Sequence, residues 1–366
     1  MRGPARAALP EAVAGRALWT AILSPDAPPV PCDEDALAGA AARFAHLTSP
    51  TVAAWLAQSL CDRHPGLIAA ADRERAHQFN RFQRARAREA LAPVVAAGID
   101  VLVFKGMATA SRFYPDPLIR LMGDVDLLVR PADAGRLCDL LEGRGFHFHK
   151  SADTPVWGLS SESSFHPLVA ADGQFIFDLH VAPDDYPVSR ALDVEAVFAD
   201  AQPVDIGGVV LRAPSDAHLF LLALTNAGRD KFGPDSVRTL ADVVAALTRA
   251  DYRPDWDRLA ALAATGDFLR PVMLAVNLLA RLGLRPELLP PRLIRPYRGL
   301  AGWAFDALLD DYLTVFAREP GKWALQMRDW LVISAPAVLA HRNWRRLRGL
   351  ARPWRGLPPG RHFADR

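Results

Sequence analysis

The sequence predicts an α+β protein. A small mixed β-sheet core spans about residues 95–213, helices precede it in 1–94, and a helical domain in 214–345 leads to a basic tail, 346–366. Three observations carry this reading. Short apolar and β-branched runs bounded by Gly, Pro and Asp recur through the middle of the chain, as strands do. Ala171-Asp172-Gly173 separates two such runs, and Asp-Gly in that setting signals a hairpin. On either side the apolar residues recur at helical spacing over longer stretches.

Residues 1–70 are Ala-rich and helical in pattern, broken by a Pro-rich loop from Pro25 to Pro31. A helix is expected from Asp72 to about Leu91, with Phe79 and Phe82 on one side and a solvated or ion-paired arginine face elsewhere. Strands are expected near 99–104, 124–129, 145–149, 165–170, 174–181 and 205–212, with a helix over 132–143 closed by Gly143 and Gly145. Pro214-Ser215-Asp216 starts the next helix with Ser215 as N-cap, and the run from Ala217 to Ala227 is apolar on all sides. Beyond it the chain reads as helices. There Asp242 is expected to pair with Arg238 one turn away, while Asn226 and Arg229 follow the buried helix toward a cleft.

The chemistry concentrates in Met122-Gly123-Asp124-Val125-Asp126-Leu127-Leu128-Val129. On a strand, residues two apart share a face. Asp124 and Asp126 would then stand together while Val125, Leu127 and Val129 pack on the other side. Neighbouring carboxylates repel unless a cation lies between them, and Mg²⁺ held with nucleotide phosphates is the usual answer. Upstream, the apolar run to Phe104 enters Lys105-Gly106, a tight turn into a helix N-terminus whose amides suit phosphate. Lys105 is one of only four lysines, so a compact charge is chosen there against a strong bias to arginine. Arg120 is expected to contact phosphate or to pair with Asp116 or Asp124. The candidate third carboxylate is in Phe177-Asp178-Leu179-His180, where Asp178 and His180 share a strand face that reads either as part of a site or as an edge facing water. His166, in the hairpin, reads as solvated.

Phe104-Lys105-Gly106, Tyr114-Pro115-Asp116-Pro117, Arg120, Gly123-Asp124-Val125-Asp126-Leu127-Leu128-Val129 and Phe177-Asp178-Leu179-His180 resemble a bacterial nucleotidyltransferase-like family. That family belongs to the polymerase-β-type nucleotidyltransferase superfamily. The resemblance covers about residues 70–260 and includes Asp242 and Asp255-Trp256. It departs in two places. Lys105-Gly106-Met107 stands where the superfamily has Gly-Ser or Gly-Gly, and Val181 replaces an aromatic residue. The resemblance implies a nucleotidyltransferase core with Mg²⁺ (or Mn²⁺) on Asp124, Asp126 and Asp178. Lys105, Gly106, Arg120 and His180 would handle the nucleotide, read as ATP. An NMP would pass from NTP to a hydroxyl of a small molecule or of a peptide or protein, with release of pyrophosphate. The competing readings are a degenerate nucleotide-binding scaffold or sensor, and kinase-like phosphotransfer, which lacks a Gly-rich loop here.

Composition narrows the classes. A hydrophobic content of 51% in 366 residues is ample for a core, and a net charge of +2 argues against wholesale nucleic-acid binding. Cys32, Cys61 and Cys138 have no metal-ligand spacing and point to a reducing cytoplasm. Glu11 and Arg16 interrupt any secretory apolar run, and no segment has the length to span a bilayer. From Arg342 to Arg366 there are eight arginines and one acid among Trp344, Trp354 and Phe363. That composition suits an anionic partner, and the prolines mark the tail as flexible.

Overall fold

The computed structural model describes residues 10–149, 163–341 and 344. The tail call at 346–366 lies outside the described residues. Five helices come first: α1 (Pro10–Leu23), α2 (Glu34–Leu47), α3 (Pro50–Leu56), α4 (Gln58–Arg63) and α5 (Ala70–Ala96). Asp33 caps α2 by accepting from the Ala36 amide, and Ser49 caps α3 from Val52 with Pro50 in the first turn.

The buried stripe of α5 runs through Ala76, Asn80, Gln83, Ala87, Leu91 and Val94. Phe79 and Phe82, expected to define one side, are each 41% exposed. The polar pair is buried because it has partners. The Asn80 amide donates to the Leu118 carbonyl (2.6 Å) and its oxygen accepts from the Met122 amide (3.3 Å), while Gln83 donates to the Gln174 carbonyl (3.3 Å). The hydroxyl of Thr51 donates to the Ile119 carbonyl. Two helices thus pin the loop that delivers Asp124 and Asp126, and these hydrogen bonds offset the cost of burying the groups that make them, while the Gln83 side-chain oxygen is buried with no partner among the described residues.

The core alternates strands and helices: β1 (Val101–Val103), α6 (Lys105–Phe113), β2 (Val125–Val129), α7 (Pro131–Glu142), β3 (His147–Phe148), β4 (Leu168–Val169), β5 (Ile176–His180), α8 (Val194–Ala199), β6 (Gln202–Ile206) and β7 (Val209–Ala213). They form one mixed sheet of order β3-β4-β5-β2-β1-β7-β6. β1 and β2 are central and buried on both faces, which is why they read as near-continuous apolar runs. β1 lies antiparallel to β2 and parallel to β7, and β2 lies parallel to β5.

The Asp172-Gly173 turn joins β4 to β5 as expected, with Gly173 at φ +69° and the Asp172 carboxylate accepting from the Gln174 amide. The single strand expected at 205–212 is instead a hairpin, β6 and β7, turning at Gly207-Gly208. Both glycines have positive φ, +64° and +94°, as a two-residue turn requires.

The remaining helices are α9 (Asp216–Arg229), α10 (Ser236–Thr248), α11 (Trp256–Thr265), α12 (Leu269–Leu282), α13 (Gly299–Leu313) and α14 (Lys322–Val332). Ser215 accepts from the His218 amide and caps α9, whose flanks are mostly buried against α10 and α12. α6 packs on α9 and α10, so these helices wall the end of the sheet that carries the acidic residues. α1 packs on α13, where Trp19 donates to the Tyr312 carbonyl (2.8 Å) and Gly15 lies directly against the Leu313 backbone. Among the described residues no helix is long and apolar enough to cross a membrane.

Candidate active site

The β2–β5 register builds the site. Asp126 lies opposite Asp178 and Leu128 opposite His180, so Asp126, Asp178 and His180 share one face of two adjacent parallel strands. His180 Nε2 is 3.0 Å from Asp126 Oδ1 and 3.3 Å from Asp178 Oδ2. One ligand atom from each of these three side chains falls within 4.8 Å of the other two, a spacing that fits a metal ion. His180 Nδ1 is buried with no hydrogen-bond partner among the described residues, and the ring meets Phe104 edge-on.

Lys105 opens α6 at φ +38°, a left-handed conformation that costs a non-glycine residue about 1–3 kcal/mol. It is held by what its ammonium reaches. Lys105 Nζ donates to Asp126 Oδ1 at 2.9 Å and lies 3.0 Å from His180 Nε2. Burial alone would raise the Asp126 carboxyl, but the Lys105 charge and the His180 hydrogen bond outweigh it and hold the group well below the usual carboxylate range. For His180, burial and the Lys105 charge both favour the neutral ring, yet hydrogen bonds to Asp126 and Asp178 raise its pKa above the ordinary value.

Asp124 does not continue the strand. It precedes β2, is exposed, and lies outside the three-residue cluster. The surrounding protein desolvates it enough to raise its carboxyl pKa, and the charges of Asp126 and Asp178 push the same way. A carboxyl raised above its unfolded value of about 3.9 destabilises the fold wherever it is ionised. Asp124→Asn is therefore expected to raise the melting temperature of the metal-free protein at pH 7. The gain should shrink toward zero as pH falls through the carboxylate range; a lower melting temperature at pH 7 would contradict this.

Arg120 is placed differently from both expected pairings. Its Nε and Nη2 donate to Asp242 Oδ1 and Oδ2, each at 2.9 Å, and Tyr114 Oη donates to Asp242 Oδ1 at 2.8 Å. Asp116 instead caps the Leu118 amide. Asp242 is buried on α10, so the surface pair expected with Arg238 does not form; Arg238 is exposed. Burial, with the Asp242 charge, lifts the Tyr114 phenol well above its ordinary pKa. A Cβ on Gly106 would lie 2.9 Å from Arg120 Nη1, so the turn approaches the guanidinium as only glycine allows.

A narrow cavity of about 50 Å³ is lined by Lys105, Gly106, Arg120 and Asp242 together with Asn226 and Arg229 from α9. A larger cavity of about 460 Å³ adjoins it, and Asp184 and Arg229 line both. Asp184 was not singled out by sequence reasoning. It is buried, accepts from the Thr225 hydroxyl (3.0 Å) and pairs with Arg229 (3.4 Å). Its signal was an acid shortly after an acidic strand, Pro183-Asp184-Asp185 following His180. Tyr114 was quoted only as part of a turn, because its partner is 128 residues away. His166 is half-buried ahead of β4 and belongs to none of these contacts.

The register of the acidic strands and the Lys105-Gly106 start of α6 bring the residues of the quoted motifs together. No curated protein and no solved structure matches the chain. Residues 34–283 match the family described as uncharacterised nucleotidyltransferase. With more than half its length matched, the chain belongs to that nucleotidyltransferase family, and the protein is an enzyme of nucleotidyl transfer.

Proposed function

We propose that the protein uses a divalent metal, Mg²⁺ or Mn²⁺, to transfer an NMP from NTP, read as ATP, to an acceptor hydroxyl. The observation that carries the reading is the register of Asp126 against Asp178 with His180 beside them. These three side chains would hold the metal, and Asp124, two residues before Asp126, would join them. The donor set fits, since carboxylate oxygens suit these hard ions and an imidazole nitrogen is acceptable to Mn²⁺. When bound, the metal stabilises charge on the attacking and leaving oxygens.

The chain does the rest. The amides at the start of α6 and the Lys105 ammonium face the phosphates. Asp178, the least enclosed of the three ligands, takes the proton of the acceptor hydroxyl. The hydroxyl oxygen bonds to the α-phosphorus, the bond between that phosphorus and the bridging oxygen breaks, and its electron pair leaves with pyrophosphate. Arg120, locked to Asp242, props Gly106 and does not reach for phosphate. The cavity of about 460 Å³ falls in the range of small-molecule sites, about 300–1,000 Å³, and favours a small-molecule acceptor over a peptide or protein.

Calorimetry with all four NTPs and Mg²⁺ or Mn²⁺ tests the reading. Metal-dependent NTP binding is expected in the wild type and not in the Asp124→Asn/Asp126→Asn double variant. A folded wild type that binds no NTP would remove the reading. Release of pyrophosphate rather than NDP, in an acceptor screen with the selected NTP, separates nucleotidyl transfer from phosphotransfer.

A further inference from the structure

Lys105 stands among the metal donors. Its ammonium is 2.9 Å from Asp126 Oδ1 and 3.0 Å from His180 Nε2, two of the three atoms that would bind the ion. A divalent ion needs direct oxygen contact at about 2.0–2.2 Å, and the same lone pairs cannot serve an ammonium and an ion together. Like charges held that close in a partly buried site also repel. The neighbouring cations cannot take the lysine's place. Arg120 is doubly bonded to Asp242, and Arg229 is paired with Asp184.

We infer that Lys105 is an internal counter-ion that keeps the metal cradle closed until nucleotide draws it away. The inference rests on the metal-dependent reading of the site. Four features support it. The lysine is the first residue of α6, so the amides that suit phosphate lie beside its own backbone. Its flexible stem carries a compact charge that can swing from carboxylate to phosphate, which a fork-shaped guanidinium would do less readily. Its backbone is left-handed, a strained conformation for lysine, in the same arrangement in which its ammonium reaches Asp126. Asp126 sits in the central strand, buried to 7% exposure, and cannot turn to solvent when unpaired. The Lys105 ammonium therefore answers its charge, and the metal enters together with the triphosphate instead of ahead of it. The carboxylates are thereby kept from binding free metal in a geometry that no substrate shares.

The test is Mn²⁺ binding to the full chain, followed by the electron paramagnetic resonance of free Mn²⁺, with and without ATP. Lys105→Met and Lys105→Gln, both checked for fold by circular dichroism, should bind Mn²⁺ alone at least about tenfold more tightly than wild type. Wild type should bind Mn²⁺ weakly alone and tightly with ATP. Adding Asp126→Asn to Lys105→Met should remove the gain, which places the ion in the cradle. Folded variants that bind Mn²⁺ alone no more tightly than wild type would overturn the inference, even if wild type still binds Mn²⁺ with ATP and the transferase reading stands. If no form binds Mn²⁺ or ATP, both readings fall.

Discussion

Asp126→Asn is expected to lower nucleotidyl transfer by at least about a thousandfold at saturating nucleotide and metal. Ligation of this kind supplies several kcal/mol of transition-state stabilisation, and each 1.36 kcal/mol is tenfold in rate. Asp126 is the carboxylate with the fewest alternatives. It is buried in a central strand, faces Asp178 across the register, and accepts from both Lys105 and His180. The same substitution has a stability signature. Because its folded pKa is depressed, Asp126 contributes stability that is present above about pH 3.9 and lost as pH falls below it. The asparagine variant should therefore melt lower than wild type at pH 7, with the difference closing in acid. Asp124→Asn should also lose activity but melt higher, so the two aspartates separate by the sign of their effect on stability. A transferase assay that retains more than about a tenth of wild-type rate in Asp126→Asn would exclude it as a metal ligand.

Asp242→Ala is expected to destabilise the protein by about 3–5 kcal/mol, the usual cost of removing one partner from a buried ion pair. Both oxygens of Asp242 are engaged, and their loss would leave the buried Arg120 guanidinium uncompensated and the Tyr114 hydroxyl without its acceptor. The damage should reach the site, because Arg120 packs directly under Gly106. Asp242→Asn keeps the volume and one acceptor oxygen, so its loss should be smaller. Urea unfolding measures both variants. A loss under about 1 kcal/mol for Asp242→Ala would mean that Arg120 finds another partner or water. Lower nucleotide affinity in a folded Asp242→Asn protein would tie the buttress to the Lys105-Gly106 turn.

Local pattern carried much of the fold. The short apolar runs, the Asp172-Gly173 turn and the Ser215 cap each act within a few residues, and each has its expected structure. The Gly207-Gly208 turn was equally local and was read through, because the residues on both sides of it look like one strand. On α5 the pattern misled. Phe79 and Phe82 are exposed while Asn80 and Gln83 are buried, since the decisive hydrogen bonds run 38 and 91 residues along the chain.

By itself the sequence determined the α+β class and that Asp178 and His180 share a strand face, because alternation along a strand is a property of the chain alone, but it carried the strand one residue too far, to Asp124. Only the tertiary structure decided which strands lie side by side. That choice brings Asp178 and His180 to Asp126 and leaves Asp124 outside their cluster. It also gave Arg120 its partner 122 residues away, in a buried place where a charge must be matched by whichever opposite charge the packing brings near.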